Sequence, residues 1–264
     1  MKVVVIIPAA GLGTRMTFAP SAKGKKPSAS KQFTELGGTP ILIHTLRKFA
    51  ASPAVSEIFV ALRKNEISGF RALLEKEARA AELRSTRTAE GGRPHMDSGP
   101  IEVLQKTVQL VEGGEHRQQS VANAMAAVSA APDDIVLIHD AVRPFVTEEI
   151  IQNVILEAQK YGAAIAGLPA VDTVKQVERT AEGAVITATV PRERVVLAQT
   201  PQGFRYSVLR KAFDEATADG FLGTDEASLV ERSGHEVAVV MGSPRNIKIT
   251  TPGDLELAEF FLKR

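Results

Sequence analysis

The chain has 264 residues, 44% of them hydrophobic and 24% charged, the balance of an ordinary globular protein able to bury about three quarters of its unfolded surface. Lys and Arg number 32 against 31 Asp and Glu, and a net charge of +1 is too small to draw nucleic acid or a membrane surface by bulk electrostatics. There is no cysteine, which excludes disulfides and thiolate metal sites and suits a reducing, cytoplasmic setting, and no apolar run approaches the roughly 20 residues that span a bilayer.

The first predicted element is Val3 to Ile7, an unbroken β-branched run that suits a strand buried on both faces. Pro8 ends it. Ala9, Ala10, Gly11 and Gly13 follow, all small, so the backbone can turn tightly and bring its N–H groups to an anion. Arg15, Lys23, Lys25, Lys26 and Lys31 come next, with no acidic residue between Lys2 and Glu35. A close-approaching backbone followed by cations is what a polyphosphate site needs. A dinucleotide fingerprint competes, because Gly11-Leu12-Gly13 supplies its first half, but Met16 stands where the third glycine would allow close helix–strand packing. Met1-Lys2 and the run after it mimic a short signal peptide, but cleavage there would remove the central strand.

A helix is predicted from Pro40 to Ala51, a buried strand from Glu57 to Leu62 and a long helix from Asn65 to Leu83. Arg84 to Pro100 follows no period and reads as an exposed loop. Thr107 to Val111 is a short strand running into Gly113, Gly114 and Glu115, just before a helix that turns Val121, Met125 and Val128 inward. The glycines can bring backbone to a base or ribose at that helix N-terminus, with Arg117 and Ser120 one turn in on one face. Asp134 to Ile138 is another buried strand, and Asp140 and Arg143 lie just beyond it, where ligands gather in open parallel sheets. His139 reads as structural rather than catalytic, and the five histidines have no metal-ligand spacing.

A helix capped by Thr147 runs to Tyr161, and Ala163 to Leu168 is a strand. The runs 172–177 and 185–190 then alternate about Glu182-Gly183, a β-hairpin arm within 170–192. Two strands alone are marginal in water, so the arm is expected to pack against a second subunit in a homodimer. Val195 to Ala198 is strand, a helix starts at Tyr206, and Thr224 is expected to cap a short helix at Asp225-Glu226. Val237 to Met241 and Asn246 to Thr250 are predicted as the last strands and Pro252 to Leu262 as the closing helix. The alternation of strand and helix predicts an α/β fold in one domain over 1–264, its twisted sheet mostly parallel with helices on both faces.

The run Pro8 to Met16, PAAGLGTRM, with Lys31-Gln32-Phe33 after it, resembles the signature of the nucleotidyltransferases of Rossmann-like α/β fold. Within them the chain is most similar to the 2-C-methyl-D-erythritol 4-phosphate cytidylyltransferase family, and the likeness covers nearly its whole length. The resemblance implies a Mg²⁺-dependent attack of a sugar-alcohol phosphate on CTP, releasing pyrophosphate. It places Pro8, Ala9, Ala10, Gly11, Gly13, Gly113, Gly114, Glu115, Arg117 and Ser120 against CTP, with Glu115 where many members have Asp. It gives Arg15, Lys31, Arg192 and Lys248 catalytic roles. Asp140, Ala141, Arg143, Thr173 and Thr200 would meet the acceptor, Asp140 near the metal-bound phosphates, and Thr173 and Arg192 would reach the partner's active site. Many members carry an acid before Asn246, where this chain has Arg245. The loop Met16 to Ser30 is longer than usual, with Thr17 to Ser30 expected as a lid, and Arg84 to Pro100 is extra. A pentitol-phosphate cytidylyltransferase, such as one acting on ribitol 5-phosphate, resembles the chain along its whole length too; a nucleotide-sensing module without chemistry is the rival from another class.

Overall fold

The computed structural model describes residues 1–11, 30–85, 101–103 and 106–263. Gly13, Arg15, most of the expected lid and the expected loop over 86–100 lie outside them. The chain begins with β1 (Val3–Pro8) and a small ribbon of β2 (Glu35–Leu36) and β3 (Thr39–Pro40), followed by α1 (Ile41–Ala51), β4 (Glu57–Leu62), α2 (Lys64–Ser85), β5 (Ile101–Val103) and β6 (Lys106–Glu112). Then come α3 (Arg117–Ala127), β7 (Ile135–Ile138), α4 (Glu148–Tyr161), β8 (Ala163–Pro169) and an arm of β9 (Val174–Thr180) and β10 (Gly183–Val190). The last elements are β11 (Val196–Arg205), α5 (Tyr206–Ala218), α6 (Glu226–Arg232), β12 (Ala238–Met241) and α7 (Pro252–Leu262).

Eight strands form one sheet in the order β12-β8-β11-β7-β1-β4-β6-β5. β1 is parallel to both β4 and β7, β4 to β6 and β12 to β8, whereas β11 runs antiparallel between β7 and β8, and β5 antiparallel on β6. Period-two alternation along β1 divides the core. Val3, Val5 and Ile7 join Leu42, Leu46, Phe49, Phe70 and Ile151 from α1, α2 and α4 on one face. Val4 and Ile6 join Val121, Met125, Phe213 and Leu229 from α3, α5 and α6 on the other. Each of these five β1 side chains is at most 2% exposed, and burying a Val or Ile contributes about 1.5–3 kcal/mol, so a charge on this strand would destabilise both layers at once.

Several boundaries differ from the sequence reading. Arg84 belongs to α2 rather than to the loop after it. The hairpin turns at Ala181-Glu182, one residue early, with Gly183 (φ 152°) opening β10. β11 is one strand through Arg205, not a short strand ending at Ala198. Ala198 pairs with Gly167 and Gln202 with Ile165, so residues 199–201 bulge against a single position of β8, and such bulges re-aim side chains. Asp225, not Thr224, caps α6, because its Oδ1 accepts from the Ser228 N–H at 3.0 Å and Ser228 completes a capping box. The expected strand over 246–250 has no ladder partner among the described residues. The Ile249 N–H donates to Val142 O, and the N–H groups of Thr250 and Thr251 donate to the Asp254 carboxylate that starts α7.

Candidate active site

Three segments of the site leave the C-terminal ends of parallel strands: Pro8 to Gly11 from β1, Gly113 to Glu115 from β6, and His139 to Arg143 from β7. Between them lies a cleft of about 260 Å³. Pro8, Ala9, Ala10, Gly11, Lys31, Gly114, Glu115, Arg117, Ser120, Asp140, Ala141 and Lys248 line it, joined by Gln32, His116 and Val142, which sequence reasoning did not assign. Gln32 is 2% exposed and its Nε2 donates to Ala9 O at 2.5 Å, while Phe33 packs on Phe70 with ring centroids 5.8 Å apart. Two of the three residues in Lys31-Gln32-Phe33 are thus anchors that hold Lys31 at the cleft.

Gly113 lies just outside this cleft, in a shallower depression with Ala10 and Arg63. A Cβ on Gly113 would stand 2.5 Å from Ala10 Cβ and 2.9 Å from Ser120 Oγ, so only glycine lets the turns after β1 and β6 meet this closely. Ser120 Oγ accepts from the Gly114 N–H at 3.1 Å, and Gln119 Oε1 accepts from the Glu115 N–H at 3.1 Å. The loop is tied back onto α3.

At the cleft floor three cations surround Asp140. Lys248 Nζ is 2.8 Å from Oδ2, Arg143 Nε 3.5 Å from Oδ2 and Arg117 Nε 3.4 Å from Oδ1. Burial pushes the Asp140 carboxyl up, but Arg117, Lys248 and Arg143 outweigh it and hold it well below the usual carboxylate range. Arg117 is gripped from its other side by Glu226, both of whose oxygens accept from Nη1, at 2.7 and 2.6 Å. Burial disfavours the Arg117 cation, yet Glu226 and Asp140 raise its pKa above the ordinary value; burial wins at Glu226, whose pKa is raised despite Arg117.

Behind the floor, the β11 bulge carries Thr200 and Gln199 inward. Thr200 Oγ1 accepts from the Asp140 N–H at 3.0 Å and sits 3.1 Å from His139 Nδ1, while His139 Nε2 is 3.0 Å from Arg143 O. Burial holds His139 neutral, its pKa lowered to about 4, in keeping with the structural role read from sequence. Asn246 donates to Thr200 O (2.8 Å) and Gln199 Oε1 (3.2 Å), and its own carbonyl accepts from Arg143 Nη1 at 2.7 Å. In this structure Arg143 and Thr200 brace Asp140 from behind instead of lining the cleft. Arg245, at the position where an acid was looked for, turns away to stack over Phe261 at 4.9 Å.

Thr173 and Arg192 stand apart from the cleft of their own chain, exposed at the base of the arm, where Arg192 Nη1 donates to Val171 O at 3.1 Å. No sequence signal marked Gln199 as part of the site, and the acids Asp225-Glu226, which read equally as a helix start and as functional groups, named no partner, because the contacts that bring Glu226 and Gln199 there span 109 and 47 residues.

A cation-lined cleft at the carboxyl ends of a mostly parallel sheet, with a small-residue turn after β1, is the arrangement a nucleotidyltransferase needs to hold a polyphosphate. The model of the family "IspD: 2-C-methyl-D-erythritol 4-phosphate cytidylyltransferase" matches residues 3–264. The chain is 54% identical over 264 residues to the 2-C-methyl-D-erythritol 4-phosphate cytidylyltransferase of Acidobacterium capsulatum, covering all of this chain and 98% of that protein. It is 49% identical to that of Solibacter usitatus, covering all of this chain and 96% of the relative. The crystal structure of the enzyme from Thermus thermophilus superimposes over the full length of both chains, with a TM-score of 0.69 at 32% identity. The chain belongs to the 2-C-methyl-D-erythritol 4-phosphate cytidylyltransferase family, IspD.

Proposed function

We propose that this protein transfers the cytidylyl group of CTP to 2-C-methyl-D-erythritol 4-phosphate, giving 4-diphosphocytidyl-2-C-methyl-D-erythritol and pyrophosphate. The observation that carries the reading is the convergence of Lys31, Arg117, Lys248 and Asp140 on one cleft in a chain of this family. An oxygen of the acceptor phosphate attacks the α-phosphorus of CTP, and the bond from that phosphorus to the bridging oxygen of pyrophosphate breaks. No protein nucleophile is needed, because the acceptor already carries the negative charge; the enzyme brings two anions together in line and stabilises the charge that develops.

Small residues from Pro8 to Gly11 and the Gly114 backbone hold the nucleotide, and likeness to the family gives Gly13 and Arg15 a part in the same task. Lys31 and Arg15 neutralise the α-phosphate and the leaving group. Lys248 receives the acceptor phosphate. Arg192 and Thr173 meet the acceptor from the partner subunit, because they stand on an arm that reaches outward from its own chain, so the working form is a homodimer. Among the described residues no three metal-binding side chains gather. Mg²⁺ is commonly held by one or two carboxylates together with substrate phosphates, and Asp140, its oxygens now paired with Arg117, Arg143 and Lys248, is the carboxylate at the cleft floor that would be shared with such an ion. Bound there, Mg²⁺ would neutralise phosphate charge. Among the described residues no helix is long and apolar enough to cross a membrane. Use of CTP fits a cytoplasmic setting.

Pyrophosphate release with Mg²⁺ and CTP tests the reading, with 2-C-methyl-D-erythritol 4-phosphate compared against ribitol 5-phosphate and CTP against the other nucleoside triphosphates. Release with CTP and the first acceptor only is the expected result. Release with ribitol 5-phosphate alone would keep the mechanism and change the substrate; CTP binding without turnover on either acceptor would favour a sensing module. Lys248→Ala is expected to raise KM for the acceptor at least tenfold with CTP binding within about twofold. A matching loss of CTP affinity would contradict the role given to Lys248.

A further inference from the structure

We propose that Glu226 is a positioning residue for this reaction, acting through Arg117 to hold the Asp140 carboxylate in place and in balance at the cleft floor. The proposal rests on the reading of Asp140 as the acid of the active site.

Glu226 is 1% exposed and does not line the cleft. Its carboxylate is spent on Arg117 Nη1 at 2.7 and 2.6 Å, and Nε of the same guanidinium stands 3.4 Å from Asp140 Oδ1. A planar guanidinium held at one end has its other end fixed as well. The holder is itself immobile. Asp225 caps α6 and accepts from Gln202 Nε2 at 2.7 Å, while the Ala227 N–H donates to Gln202 Oε1 at 3.2 Å, which ties the N-terminus of α6 to β11. One residue along from Arg117, Gln118 bonds Phe221 O and the Gly223 N–H, so α3 is latched to the segment leading into α6.

Charge gives the second half of the argument. Arg117, Arg143 and Lys248 face Asp140 and Glu226, three cations against two carboxylates. Without Glu226, three cations would crowd one carboxylate. Arg117, whose Nη2 is already buried without a partner among the described residues, would have Asp140 alone as a counter-ion among these groups. Arg117 would then swing toward Asp140 and displace Lys248 from the carboxylate they compete for. Because Glu226 touches no substrate and acts through Arg117 on the Asp140 carboxylate, its loss falls more on turnover than on CTP binding.

The test uses the full-length protein. Glu226→Gln is expected to lower kcat about tenfold or more, with a smaller loss of CTP affinity by calorimetry than of kcat. In an Arg117→Met background, Glu226→Gln is expected to add no further loss. A fall in CTP affinity with kcat unchanged, or a further fall in kcat without Arg117, would overturn the proposal. Asp140→Asn, assayed alongside, separates the two levels. If it keeps wild-type kcat, the reading of Asp140 fails; if it loses activity while Glu226→Gln does not, the Glu226 inference fails by itself. Should Glu226→Gln not fold, the pair Arg117→Met/Glu226→Met against Arg117→Met decides, equal kcat supporting the coupling and a further fall overturning it.

Discussion

The floor of the cleft and the β9–β10 arm use their polar groups in opposite ways. Around Asp140 almost every donor and acceptor is spent within the chain, and the cations are already aimed before any ligand arrives. The arm is two strands without a helix over either face, and it leaves Val185 and Ile186 each 59% exposed, with Val171 at 82% near its base. A two-stranded ribbon with apolar side chains in water is not a stable end state. Under the proposed function, the contrast separates two ways of building one active site: electrostatics preorganised by the fold itself, and reach across to the acceptor left to an arm that a partner would hold still.

The sharpest challenge to this division is to remove one charge from each side. Lys31→Ala is expected to lower kcat on the order of 10²-fold or more, with no change in subunit association, read from steady-state rates and analytical ultracentrifugation. Arg192→Ala should be similarly inactive alone, yet mixing it with Lys31→Ala chains after dissociation and reassociation should restore about a quarter of wild-type activity, because half the dimers then hold one intact site. No recovery would place Arg192 in its own chain's cleft and erase the contrast. Ile186→Asp should shift the protein toward monomer and lower activity about tenfold at dilute concentration, with recovery at high protein concentration.

A smaller effect separates the regions by pH. His139 is buried neutral with its pKa lowered to about 4, so below about pH 6.5 the unfolded chain takes up a proton that the folded one refuses. Stability is unaffected by this group above that pH and falls as pH drops toward 4, by about 2–3 kcal/mol near pH 4.5. Urea midpoints at pH 7 and 4.5 should therefore differ more in wild type than in His139→Gln. The smallest effects compare single hydrogen bonds. Thr147→Ala, which loses the cap on α4, should cost about 1 kcal/mol, while Thr189→Ala, which loses an exposed bond to Lys175 on the arm, should stay within about 0.5 kcal/mol.

Much of the fold was legible because its signals are local. The β-branched run of β1, the Thr147 cap and the alternation of the arm each state their structure within a few residues. The same holds for the glycine turn and for Lys31 and Lys248, whose neighbours carry the family likeness. Pairing was not legible. Nothing in Gln199 to Phe204 says that this stretch continues β11 antiparallel between two parallel strands, since direction in a sheet is set by distant partners. Asn246 to Ile249 alternates like a strand and is not one, because its backbone is claimed by Val142 and its chain by the start of α7. Glu226 reads equally as a helix-start acid and as a functional one, and it does start α6, but nothing in the pattern pointed across to α3.

Reversing a single strand decides where the arm can grow. β8 ends at the carboxyl edge of the sheet, the edge that carries the cleft, and β11, being antiparallel to it, must begin at that same edge. The connection between them is therefore a graft point at the rim: any length of chain inserted there extends outward from the level of the chemistry without rerouting the sheet. Had β11 been parallel, the chain would have had to cross back to the far edge before entering it. An insertion at the end of β8 can change in length or sequence through a lineage while the strands that hold Asp140 keep their order.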